Sequence, residues 1–351
     1  MNRTSPRPIR NGVGLHIPAV VLLMGACWMA GCEQSAQNEI DGSSLRSDGM
    51  FGKANRIVSA ALSDPDPRIR AIASEVVAST RQLRLTPALR RLYRDPIVPV
   101  RFAAILAIGD LRYAMVKADM QQIFDEVKED PNVRLAAAYA LFRLGATQYA
   151  DYPLKAITSS SQTVRANAAL VLGKIGDTRA LDILYWAIQD KDSDDRVLVQ
   201  AMQSIAMLGD PRIFQKVLAK SINAYANDRI DSIRAMGALG NQQARDAIRT
   251  MLDDSVVEVR LAAAEQLGRL HDPAGQTKVL EFLGKDLPSY SDLRENSEQS
   301  RVKVLATMAI GEIGSEPLVR WLPRLLDDRS RFVQLAAAKA VFMQGGRNSP
   351  R

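Results

Sequence analysis

The sequence predicts an all-α chain, an α-solenoid of about nine helical hairpins wound as a superhelix. Three observations carry this. One motif returns at close to 31 residues, its apolar positions keep helical spacing, and aromatics are only 5% of 351 residues while Ala and Leu abound, which suits closely packed helices. The motif reads VRFAAILAIGDL from Val100, VRLAAAYALFRLG from Val133, VRANAALVLGKIGD from Val164 and VRLAAAEQLGRLHD from Val259. Weaker copies begin at Ile69, Val197, Asp228, Val302 and Val333, so successive anchors lie 31, 33, 31, 33, 31, 31, 43 and 31 residues apart. Such a period marks stacked units, because one helical pair cannot bury its apolar face alone.

Within a copy, apolar or small residues fall at 0, +3, +4, +7, +8 and +11 from the anchor, which is one face of a helix. In the third copy these are Val133, Ala136, Ala137, Ala140, Leu141 and Leu144. A shorter amphipathic segment precedes each, as in PALRRLYRD and QQARDAIRTMLDD. Pro67, Pro99 and Pro131 sit where a first helical turn loses nothing by a missing N–H. Asp95, Asp130 and Asp254 are cap candidates. Glycine recurs at +9, as Gly109, Gly173, Gly237, Gly268 and Gly311, where its cost inside a helix argues for close packing.

These copies resemble HEAT repeats, particularly the short bacterial class related to phycobilisome-lyase repeats, over roughly residues 52 to 345. The shared pattern is a turn Asp, then Val-Arg opening an alanine-rich helix that ends in Leu-Gly. The resemblance implies that second helices line a concave surface. It also implies a structural role for the cation after the anchor, in Arg70, Arg101, Arg134, Arg165, Arg229 and Arg260: each bonds a turn Asp or carbonyl in its own or the adjacent repeat. A basic stripe for nucleic acid or anionic lipid is the competing reading of that column.

The N-terminus reads as an address. Arg3, Arg7 and Arg10 precede an apolar stretch from Val13 to Met24, too short for a span and interrupted by Pro18. Small residues then lead to Cys32, and the sequence turns polar only beyond it. Met29-Ala30-Gly31-Cys32 resembles the lipobox of bacterial lipoproteins, with Met where Leu is commoner; Met24-Gly25-Ala26-Cys27 is a rival box. The resemblance implies cleavage before Cys32, a diacylglycerol on its thiol, and an outer-membrane destination since Glu33, not Asp, follows. The chain then divides into a signal peptide (1–31), a tether (32–50) spanning roughly 25 Å as a random coil, a solenoid (51–346) with an insertion near 284–298, and a tail (347–351).

Chemistry is sparsely provided. Beyond Cys27 and Cys32 no thiol exists for a disulfide, metal or nucleophile, and His271 is the one histidine past the N-terminal segment. One imidazole cannot build the His-Glu metal sites of HEAT-type hydroxylases. Asp190, Asp192 and Asp194 match alternate positions of a calcium loop, but Asp195 replaces its glycine and Ala201 its closing acid. Without Arg3, Arg7 and Arg10 there remain 43 basic against 39 acidic residues, too even to argue for nucleic acid. No cofactor, metal or small-molecule substrate is expected.

The expected role is a non-catalytic, membrane-anchored scaffold for protein partners in the bacterial envelope. A lyase-like or chaperone subunit and a nucleic-acid-binding HEAT-like protein are the alternatives. Contact candidates are Leu106, Tyr139 and Leu170, consecutive at +6 and expected to line a groove; Tyr290 in the insertion; and Phe342 and Met343 at an uncapped last repeat.

Overall fold

A computed structural model describes residues 42–286 and 297–348; among these, every regular element is helical. Nine hairpins follow one another. Their second helices, here the inner helices, are Pro67–Ser79, Val98–Leu111, Pro131–Arg143, Gln162–Ile175, Asp195–Met207, Ala226–Leu239, Val257–Arg269, Ser297–Ile313 and Arg331–Asn348. Each packs on the next, and the first helices, shorter in every hairpin but the first, lie outside. The first outer helix, Gly42–Ala61, begins inside the segment expected to be tether. Between the seventh and eighth inner helices, Gln276–Glu281 runs into a π-turn, Phe282–Asp286, where the insertion begins.

Local chemistry sets the helix ends. Asp66 accepts the Arg68 N–H at 2.9 Å and Asp130 that of Asn132 at 2.8 Å, with Pro67 and Pro131 opening the helices behind them. At the far end, the eight inner helices that lead into another hairpin are each followed by a residue of positive φ. Five are glycines; Arg81, Arg112 and His271 are not. The turn then closes by a backbone bond five residues back, as from Tyr113 N to Ile108 O at 3.1 Å and Asp272 N to Leu267 O at 2.9 Å.

The cation column locks neighbours together. The Arg70 guanidinium donates to its own Asp64 carbonyl at 2.7 Å and, bidentate, to the Asp95 carboxylate of the next turn at 2.8 and 2.9 Å. Arg229 repeats this with the Asn223 carbonyl and Asp254. Arg165 reaches Asp190, Arg101 reaches Glu129, and Lys303 reaches Asp328. Arg260 holds the Asp254 carbonyl at 2.8 Å. Arg134, whose following turn offers serines, donates instead to the Phe124 carbonyl and lies over the Phe124 and Tyr152 rings. The fifth copy has neither member: Leu198 stands in the column and Asn223 in the next turn. Planar, charge-assisted pairs of this kind fix geometry as well as adding energy.

The superhelix closes. Gly42–Ala61 packs along Arg331–Asn348, so the first hairpin meets the ninth. Phe51 and Phe342 stack edge to face with centroids 5.0 Å apart, and the Arg68 guanidinium lies 5.3 Å over Phe332. Lys339 donates to Glu75 at 2.9 Å in a buried pair, and Lys53 pairs with Asp327 at the rim. Asp64 is the acid that a ninth column cation would take, but that position is Gln334. Arg331, one helical turn earlier, supplies the guanidinium. The solenoid is a ring whose seam reuses the inter-hairpin lock, leaving a cleft of about 260 Å³ between Ile57, Ile69 and Leu335.

Candidate functional site in the ring interior

Side chains two hairpins apart can meet only on the concave side of the inner helices. Lys174 of the fourth hairpin reaches Asp110 of the second at 3.0 Å, across the third. Asp110 accepts the Tyr139 hydroxyl at 2.5 Å, and Arg143 donates to the same oxygen at 2.9 Å. The Lys174 ammonium lies 5.4 Å over the Tyr139 ring. Burial, helped by the Asp110 carboxylate, pushes the Tyr139 phenol far up, so it stays a donor.

A second cluster lies across the sixth to ninth hairpins and the first. Lys339 bonds one oxygen of Glu75, leaving the other buried without a partner. Asp231 and Arg234 pair at 3.6 Å; burial raises the Asp231 carboxyl and Arg234 opposes it. Glu265 is buried. Desolvation raises its carboxyl most; Arg234, Lys339 and Arg269 favour its charged form, while Glu312 opposes it. Both clusters hold opposite charges from hairpins that are not sequence neighbours, which the curvature brings within reach.

This geometry corrects the groove expectation. Leu106 and Tyr139 are fully buried and Leu170 nearly so, wedged between successive inner helices. The cause is the +9 glycine. A Cβ on Gly109 would fall 2.9 Å from the Tyr139 ring, and one on Gly268 2.8 Å from the Ile313 backbone nitrogen, so the helices approach until the +6 column is covered. Phe342 is likewise no free docking point, being buried on Phe51, and Met343 is half-buried with its sulfur beside Gly311. Asp190 and Asp194 are held by Arg165 and Arg196, with Asp194 also capping Val197. Cys32 and Tyr290 lie outside the described residues.

The charged +10 column was missed from the sequence: Asp110, Arg143, Lys174, Arg269 and Glu312, one turn beyond +6 on the same face. Charges repeated at one register of alanine-rich helices were the available signal.

Among solved structures, human deoxyhypusine hydroxylase is similar at 16% identity, with 86% of this chain and 99% of that chain covered and a TM-score of 0.35. The complex of CpcE and CpcF of phycocyanin lyase from Nostoc sp. PCC7120 is similar at 18%, covering 80% and 98%, with a TM-score of 0.41. Kap121p bound to RanGTP is similar at 13%, covering 87% of this chain and 38% of that one, with a TM-score of 0.28. No curated protein matches the chain. A family model of HEAT repeats matches residues 54–141, 120–206, 153–225 and 215–300, more than half the sequence; the chain belongs to the HEAT-repeat proteins.

Proposed function

We propose that this protein is a non-catalytic scaffold, exported and lipid-anchored through Cys32, that binds a protein partner on the edge of its ring. The observation that carries the binding mode is where apolar surface is left over. The +6 column is covered, while the turns joining outer to inner helices expose Val127 (80%) and Ile222 (83%), with Ile97 and Tyr225 on the same edge. Val127 stands between Glu126 and Lys128, with Glu129 just beyond, a mixed polar rim around an apolar contact. A closed ring whose inner columns are covered presents its rims. The segment from Arg3 to Cys32 supports export and acylation, and nine residues, 33–41, separate that cysteine from the first helix.

Native mass spectrometry of detergent-extracted protein from its own cells tests this. The expected species begins at Cys32, carries acyl mass and retains a second polypeptide that Ile222→Glu with Tyr225→Glu releases. A full-length, unmodified chain that retains no protein would overturn it.

A further inference from the structure

The opposite edge carries a different chemistry. There the turns run from inner to outer helices, and those after the fourth and fifth inner helices are self-neutralised: Asp177 pairs with Arg179, and Asp210 with Arg212. In the first two such turns Gln82 and Tyr113 stand where those aspartates would be. The first turn presents Arg81 and Arg84 around Leu83 (59% exposed), the second Arg112 and Lys117 around Met115 (78% exposed). Residues 76–94 and 111–118 contain no acid, and among the described residues none of these four cations has an acidic partner. Along the outer helix Thr86–Leu92 and its end, Arg90 and Arg94 share the single carboxylate of Asp119, at 3.9 and 3.6 Å, and Arg91 adds a further cation.

Two protruding aliphatic side chains on adjacent turns, inside a ring of unneutralised cations, match a surface with negative charge outside and hydrocarbon just beneath. We infer that this edge of the first two hairpins rests on an anionic lipid bilayer, Leu83 and Met115 entering the interface and the four cations meeting headgroups. The inference rests on the proposed anchorage, which brings the first hairpins nearest the membrane, and extends it from a tethered ring to an oriented one. Each cation near an anionic surface strengthens partitioning about fivefold. The exposed apolar groups of the other edge sit in a mixed rim, Val127 between Glu126 and Lys128 with Glu129 already held by Arg101, and so lack a comparable surplus of cations.

The test uses the processed protein made from a Cys27→Ser precursor, reconstituted in phosphatidylcholine vesicles with and without phosphatidylglycerol. A fluorophore is placed through Met115→Cys or, on the opposite edge, Val127→Cys. Several-fold stronger quenching by nitroxide-bearing lipid at 115 than at 127, only with phosphatidylglycerol and lost in Arg84→Glu with Arg112→Glu, is the expected result. A vesicle-bound ring with both positions quenched alike overturns the docking while anchorage stands. A chain that labels at Cys32 and stays off vesicles removes the anchorage and the docking with it. A response at 115 to duplex DNA in place of the vesicles reassigns the edge to nucleic acid.

Discussion

Glu265 is an acid that the fold holds at a cost, and the sign of that cost is readable. Its carboxyl is raised above the ordinary 4.5 chiefly by burial. From 4.5 up to its raised value, the folded ring therefore binds a proton that the unfolded chain has released, and stability falls as pH rises through that window. Glu265→Gln keeps the shape and removes the ionisation. The variant should unfold at higher urea than the parent at neutral pH, with the gap closing toward pH 4; a pH-independent gap would place the effect in packing. The sequence showed a glutamate in a column of mixed residues, but neither its burial nor its neighbours. Arg234 comes from the preceding inner helix, but Lys339 approaches it only because the chain curves through two further hairpins, a distance relation no local pattern encodes.

At the level of the helix, periodicity fixed most of what the structure has. The nine anchors, the Pro starts and the bonds from the arginines to turn groups are all local or next-neighbour relations. Of the cap candidates only Asp130 caps its helix, since Ile97 and Val256 stand at the N-caps and Asp95 and Asp254 accept the N–H of those residues one step earlier. What it could not supply was which column is covered. Leu106, Tyr139 and Leu170 were legible as a row, and glycine at +9 as a sign of close approach, but only their combination buries the row. Gly268 and His271, three residues apart at one helix end, separate two uses of glycine. Gly268→Ala places a methyl 2.8 Å from a backbone nitrogen and should destabilise by about 1–3 kcal/mol despite better helix propensity. His271→Gly relieves a left-handed residue (φ 59°) and should stabilise by about 1 kcal/mol. Thermal melts of the two variants should move in opposite directions, and a shift of the same sign in both would contradict this account.

For the whole molecule, closure is the feature that no single repeat announces, since Asp64 and Arg331 are 267 residues apart. Taking away the Lys339 ammonium leaves Glu75 charged and buried, a loss of about 3–5 kcal/mol. Lys339→Met with Phe342→Ser should therefore open the seam: small-angle scattering should report a larger radius of gyration while circular dichroism keeps its helical amplitude. An unchanged radius would mean that closure is held elsewhere on the seam. A circular array also has no terminal units, so it needs no polar capping repeat, which accounts for the uncapped Phe342. In open arrays, units can be gained or dropped at an end. Here deletion of one hairpin would leave a gap of roughly one helix width, about 8–10 Å, between Asp64 and its guanidinium. Such a protein cannot change its repeat number by ordinary duplication; it can lengthen only within a unit, as the 43-residue spacing before Val302 already does.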